Sequence, residues 1–208
     1  MSALKDNRFV FIMPAYNAAQ TIGRSIMSVW FQTHTNWKII IRDDMSTDDT
    51  PDIVNGLKDQ LNLGDDRVSL TVNTEKMWEV KNIVEALKEC EPSDIVCRLD
   101  GDDWLCDCDA MSIINHRYNH LELSALWTAH RWSYSNHNIS NEMPKDANPY
   151  THPWVSSHLK TFRKSLIENV SDQNFRGEDG EYFKRIGDQT IYLPVLHQSA
   201  GNWHFEPI

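Results

Sequence analysis

The chain has 208 residues, a formal charge of -10 and 40% hydrophobic residues including 8 tryptophans, enough apolar material for one substantial core. That acidity argues against recognition of nucleic acid or anionic membranes through a broad positive surface. The opening residues Met1 to Arg8 are polar, and the first apolar run, Phe9 to Met13, is too short for a leader's hydrophobic region or a membrane span, so a soluble, cytoplasmic protein without a transmembrane segment is expected.

Phe9 to Met13, stopped by Pro14, reads as a strand buried on both faces of a parallel sheet. Pro14-Ala15-Tyr16-Asn17 forms a loop, and Ile22, Ile26, Val29 and Trp30 recur at helical spacing. Trp37 to Ile41 gives a second strand, Asp43 to Thr50 a polar loop, and Pro51 to Leu61 a helix with Thr50 as its N-cap. A third strand, Val68 to Val72, and a helix from Met77 to Cys90 lead to the apolar run Ile95-Val96-Cys97. Alternating strands and helices predict an α/β fold with a mostly parallel sheet flanked by helices and functional loops at the strands' carboxyl ends.

The fourth strand ends in Arg98-Leu99-Asp100-Gly101-Asp102-Asp103-Trp104. Three carboxylates crowded at one sheet edge repel one another, and a divalent cation relieves that repulsion. An oxygen-only set favours Mg or Mn over zinc, and such ions commonly share their shell with phosphate. The competing reading is an acidic turn that caps the helix beginning near Asp109. Cys90, Cys97, Cys106 and Cys108 lack the paired spacing of a structural zinc site and are expected as reduced thiols.

Beyond Trp104, Ser124 to Trp132 could be a strand, and Ser133 to Pro153 is a long polar loop of the kind retained for binding. Trp132, Tyr134 and Trp154 border it, suited either to stacking on a flat partner or to core packing. Ser165 to Val170 reads as a short helical segment, Gly177-Glu178-Asp179-Gly180 as the start of a helix reaching Ile186, and Thr190 to Leu196 as a late strand.

Pro14-Ala15-Tyr16-Asn17, Asp43-Asp44-x-Ser46-Thr47-Asp48-Asp49-Thr50, Leu99-Asp100-Gly101-Asp102-Asp103 and Glu178-Asp179, in that order, resemble the family 2 glycosyltransferases, inverting enzymes of the GT-A nucleotide-diphospho-sugar fold. The resemblance covers nearly the whole chain as one domain, with residues 1–104 as the nucleotide-sugar half and 105–208 as the acceptor half. It implies a metal-dependent transfer from a nucleoside-diphosphate sugar, a UDP sugar by analogy, to an acceptor hydroxyl. Asp43 or Asp44 would bind the base or ribose, with Pro14, Ala15, Tyr16 and Asn17 as the facing wall and Lys81 on the diphosphate. Asp102, with Asp100, would hold Mn or Mg, Asp100 and Gly101 also lying nearer the sugar or ribose, and Asp103 would support them. Asp179 would be the base, with Glu178 orienting the acceptor. A late Arg-x-His element of the family reads Val195-Leu196-His197 here, so its diphosphate contact is lost, and His197 or His204 could reach the metal.

The acceptor is a saccharide, a lipid-linked glycan or another hydroxyl-bearing molecule. Hydroxymethylated pyrimidines in DNA are a further possibility, for which Arg131, His137, Lys145, His152, His158, Lys160, Arg163 and Lys164 would form a basic face. Two other classes stay open: a nucleotidyltransferase, although Pro14 to Asn17 lacks its glycine-rich basic loop, and a non-catalytic nucleotide-sugar-binding module.

Overall fold

The computed structural model describes residues 4–208. Its strands are β1 (Phe9–Ala15), β2 (Trp37–Asp43), β3 (Val68–Val72), β4 (Ile95–Arg98), β5 (Ala125–Thr128), β6 (Lys160–Arg163) and β7 (Trp203–Glu206). They form one sheet in the order β3-β2-β1-β4-β6-β5-β7. The first four strands pair in parallel, whereas β6 runs antiparallel to both β4 and β5, and β7 returns parallel to β5.

Alternation within the strands builds two cores. Phe9, Phe11 and Met13 of β1 face one side with Ile39 and Ile41 of β2, while Val10, Ile12 and Ile40 face the other. Helices α1 (Ile22–Trp30), α2 (Thr50–Leu61) and α4 (Ala110–His120) cover the first side through Ile22, Ile26, Val54, Met111 and Ile114. Helices α3 (Trp78–Leu87) and α5 (Gly187–Ser199) cover the second through Val80, Ile83, Ile191, Tyr192 and Val195. With helices on both faces, unbroken apolar strands such as β1 are the expected sequence.

Several elements differ from the sequence expectation. Thr190 to Leu196 is not a strand but the middle of α5, which contains Pro194. Its β-branched and aromatic residues suit a strand by propensity, yet Ile191, Tyr192, Val195 and Leu196 fall on one helical face that packs on the sheet. Gly177 to Gly180 starts no helix: the Gly177 N–H donates to Glu181, Arg176 bridges Tyr182 and Gly180 adopts φ +79°, making a tight hairpin. Strands β6 and β7 had no counterpart in the sequence reading. Thr50 does not cap α2; its hydroxyl and N–H donate to Asp48, and the hydroxyl accepts the Ala18 N–H.

The long connection between β5 and β6 is pinned from beneath. The indole N–H of buried Trp127 donates to the Asn141 carbonyl at 3.0 Å, and that of buried Trp203 to the Met143 carbonyl at 3.1 Å. A buried indole needs such an acceptor, so two core residues hold a surface segment whose far end delivers His158.

Ile12 is fully buried in the central strand between β2 and β4. Ile12→Ala is expected to destabilise the fold by about 2–5 kcal/mol, read as a lower urea midpoint with an unchanged m-value.

Candidate active site

The carboxyl ends of β1 and β4 meet the first turn of α1. Gly101 donates its N–H to the Pro14 carbonyl at 3.2 Å, and its own carbonyl accepts the Thr21 and Ser25 hydroxyls at 2.9 and 3.0 Å. A Cβ on Gly101 would lie 3.2 Å from the Ala15 Cβ and 3.1 Å from Ile22, closer than ordinary van der Waals contact. Glycine therefore lets the acidic turn seat against β1. The result is a cleft of about 470 Å³ lined by Pro14, Ala15, Tyr16, Asn17, Gly101 and Asp102. Six residues singled out in the sequence thus share one cavity.

Asp43 and Asp44 lie beside it but are engaged internally. Fully buried Asp43 accepts the Ser46 N–H and hydroxyl. Asp44 accepts the Met77 and Trp78 N–H groups at 2.7 and 3.0 Å and the Asn73 amide at 3.0 Å, so it caps α3 from a distant loop. Burial works to raise its pKa, but the Met77 N–H, Asn82, Asn73 and Lys76 outweigh it and hold the carboxyl below its usual value. Lys81 pairs with Glu75 at 3.7 Å and does not line the cleft.

A buried charged cluster stands at the other end of the acidic turn. Arg98, 2% exposed, places its guanidinium 2.9 Å from Asp100, 3.3 Å from Glu79 and 3.8 Å from Asp188. Lys160, fully buried, reaches Asp188 at 2.8 Å. His158 lies 3.5 Å from Asp103 through Nδ1 and 3.6 Å from Asp188 through Nε2. Distances are those of ion pairs, yet Lys160 Nζ, Asp188 Oδ1, Asp100 Oδ1 and His158 Nδ1 are buried without a well-oriented hydrogen bond. Such groups are costly unless something else completes them.

The cluster sets its own protonation. Burial raises the Asp188 pKa, but Lys160, His158 and Arg98 outweigh burial and hold it below the usual carboxylate value. Burial, with the Lys160 charge, keeps His158 well below the usual imidazole value and therefore neutral. Asp103 is pushed up to about 6 by burial and then by Asp100 and Asp102, although 45% of its side chain still meets solvent. Burial, followed by Asp100, also raises Asp102.

Asp188 and Arg98 were not among the residues expected to act, and His158 and Lys160 were expected only on a basic face for DNA. Asp188 occupies the first turn of α5, and reading that helix as a strand hid it; Gly187-Asp188 followed by a helical apolar stripe was the available signal. Gly187 lets Glu79 approach the start of α5: its N–H donates to the Glu79 carboxylate at 3.1 Å, and a Cβ there would fall 2.3 Å from that carboxylate and displace it.

Other expected residues are not brought in. Glu178 and Asp179 are exposed on the hairpin, where Asp179 accepts the Glu181 N–H at 3.0 Å; neither contacts Asp102 or the cluster among the described residues. His197 stacks near Tyr150 nine residues along α5 from Asp188, about 13 Å away. His204 faces Glu206 on β7 at 3.4 Å. Among the described residues, two groups of side chains have ligand atoms within 4.8 Å of one another, the exposed Asp107, Cys108 and Asp109, and the partly buried Asp100, Asp103 and His158 that belong to the cluster. Carboxylates plus a neutral imidazole suit Mn better than Mg, which takes oxygen ligands, and the orphaned Asp100 Oδ1 and His158 Nδ1 fit that role. The DNA-facing basic set forms no single surface. His158 and Lys160 turn into the cluster, Arg163 donates to the Leu123 carbonyl, and Lys164 pairs with Glu168. Among the described residues no helix is long and apolar enough to cross a membrane.

The sequence model of the family described as "Glycosyl transferase family 2" matches residues 10–171. The Escherichia coli UDP-Glc:alpha-D-GlcNAc-diphosphoundecaprenol beta-1,3-glucosyltransferase WfgD is 34% identical over 111 residues, covering 53% of this chain and 41% of that protein. The corresponding E. coli enzyme WfaP is 52% identical over 48 residues, 23% of this chain and 19% of its own. The chain thus spans less than half of either relative. Among solved structures, S. aureus TarS 1-349 in complex with UDP superposes with a TM-score of 0.71 at 17% identity, over 95% of this chain and 57% of that one. The mannosyltransferase PcManGT from Pyrobaculum calidifontis, in complex with GDP-Man and Mn2+, gives 0.66 at 20% identity over 96% and 54%. These two likenesses establish the fold.

The raised Asp103 pKa predicts two linked pH effects. Because the native state holds this proton more tightly than the unfolded chain, its contribution to metal-free stability is present below about pH 4 and is lost as pH rises through about 6. Cations need the deprotonated ligand, so Mn should raise Tm at pH 7.5 and progressively less below pH 6, with Asp103→Asn removing the shift; calorimetry across pH checks both.

Proposed function

Because the chain belongs to glycosyl transferase family 2 and has the GT-A fold, we propose that it moves a sugar from a UDP-sugar to an acceptor hydroxyl with inversion, with Asp188 as the base. The observation that carries this reading is the convergence of the acidic turn, the α5 N-terminus and the loop before β6 on one cluster beside a cleft of nucleotide size. UDP in TarS and the UDP-glucose donor named for WfgD support the donor class.

In this mechanism the nucleotide lies in the cleft between Tyr16 and the Gly101-Asp102 turn, with Asp43 and Asp44 supporting the base-binding wall through their turn and helix-cap contacts. Asp100, Asp103 and His158 would hold Mn or Mg, which supplies charge neutralisation of the diphosphate leaving group. Asp188 stays ionised at neutral pH beside Lys160 and Arg98, in the form that accepts the acceptor hydroxyl's proton as the new bond forms. Its position at the first turn of α5 fixes the carboxylate on a rigid element rather than on the exposed hairpin of Asp179. WfgD and WfaP, both named for a diphosphoundecaprenol-linked acceptor, support a lipid-linked glycan as the acceptor class. In this scheme the first 104 residues supply the nucleotide cleft, and the remainder adds His158 to the metal set and Asp188 as the base.

Asp188→Asn is expected to lower transfer from UDP-glucose by roughly 10²–10⁴-fold while UDP still binds by calorimetry. Asp179→Asn should leave transfer near the wild-type rate. Loss of transfer in Asp179→Asn alone would return the base role to the hairpin, and a protein that binds UDP but never releases it from a UDP-sugar would be a binding module.

A further inference from the structure

A second concavity of about 360 Å³ opens on the outer face of α1, lined by Arg24, Met27, Phe31, Trp104, Cys106 and Arg131 among others. Arg24, Met27, Ser28 and Phe31 follow one another at helical spacing, so they make a single stripe. The stripe is ordered by polarity. At its start the Arg24 guanidinium lies over the Trp104 ring, 3.7 Å from its centroid. About 10 Å further along the helix axis, Phe31 is 60% exposed and packs edge-on to half-exposed Trp30 at 4.9 Å.

This groove is joined to the catalytic cluster. Trp104 follows Asp102 and Asp103 directly, and the Leu105 N–H donates to the Ser28 hydroxyl at 3.0 Å, which ties the segment after the acidic turn to α1. The cleft assigned to the donor ends at Thr21, the residue before that helix, and takes in Gly101 and Asp102 of the acidic turn. The two openings thus draw on successive residues of one segment, Gly101-Asp102 for the first and Trp104-Leu105 for the second. Arg131, from the pinned loop after β5, adds a second guanidinium to the groove in a chain whose net charge is -10.

We propose that this groove binds the acceptor as a phosphorylated amphiphile: a phosphate ester held by Arg24 and Arg131, an aliphatic chain laid along Met27 and Phe31, and the sugar directed past Trp104 toward Asp103 and Asp188. The inference rests on the transferase reading and adds to it the place and chemistry of acceptor recognition. Guanidinium groups match phosphate oxygens in paired hydrogen bonds, and an exposed aromatic and thioether surface beside them takes hydrocarbon that a free sugar or a nucleic acid does not carry. The order of charge, then apolar surface, away from the cluster matches a molecule ordered sugar, phosphate, chain. An anionic membrane surface would need cations spread over a face, whereas here both guanidinium groups line one groove whose Trp104 is the next residue after Asp103.

The test is calorimetric titration of the whole protein with submicellar dodecyl phosphate and with neutral dodecyl glucoside, UDP with Mn being titrated in parallel. Dodecyl phosphate is expected to bind at least tenfold more tightly than the glucoside, and Arg24→Glu with Arg131→Glu should abolish that preference. The Arg24→Lys, Arg131→Lys protein, which keeps both charges, should retain most of it. Both pairs of substitutions are at exposed positions, and an unchanged Tm confirms that they fold. Equal binding of the two amphiphiles, or a preference that survives charge reversal, overturns the proposal. Binding to phosphatidylglycerol vesicles without binding to monomeric dodecyl phosphate also overturns it, in favour of a membrane contact. Failure of UDP to bind strikes instead at the transferase reading, and the two failures are thereby separated.

Discussion

Arg98 and Lys160 are cross-strand partners where β4 meets antiparallel β6, two cations placed side by side inside the protein. Like charges directly opposite on a sheet destabilise it, and neither side chain has meaningful contact with solvent. The arrangement holds because carboxylates from three other places close on it: Glu79 from α3, Asp100 from the turn after β4, and Asp188 from α5. Glu79 is raised by its burial and Lys160 is lowered by its own, which shows how much dehydration the pairing must offset. Apolar replacements would serve a purely structural seam as well or better. An ionic seam with poorly oriented contacts instead fits the catalytic role proposed for Asp188.

From this seam the positions of the reacting groups follow. The reversal of strand direction at β6 brings the end of the long loop, with His158, to the same edge where β4 releases its aspartates. Gly101 and Gly187 each remove a side chain at the point of closest approach, one letting the acidic turn rest on β1 and the other admitting the Glu79 carboxylate to the start of α5. The chain leading into α1, up to Thr21, borders the first cleft, and the helix itself lines the outer groove through Arg24, Met27 and Ser28.

The first half of this arrangement was legible in the residues. Apolar runs ending in Pro14, Asp43 and Asp100 announced three strands and their loops, since buried parallel strands leave a plain local pattern. The donor wall and the acidic turn came with them. What escaped depends on distant pairing. Lys160 begins a four-residue strand whose buried lysine has no local hydrophobic signature. The β-branched composition of α5 pointed to a strand and so hid Asp188, while the family resemblance drew the base assignment to Glu178-Asp179, which the structure places on an exposed hairpin. The engagement of Asp44 with the α3 N–H groups could not be read from spacing either, because 33 positions separate its carboxylate from the Met77 N–H.

The indoles of Trp127 and Trp203 grip the chain at Asn141 and Met143, while the antiparallel seam grips it again at Lys160. Between Thr128 and the first of these posts the backbone, with Arg131, Trp132 and Tyr134, contributes little to the interior. That stretch can be exchanged or lengthened while the sheet, the acidic turn and the helix that bears Asp188 stay as they are. In the proposed transferase, selectivity for one acceptor over another is thus free to diverge, in evolution or in the laboratory, independently of the residues assigned to the donor.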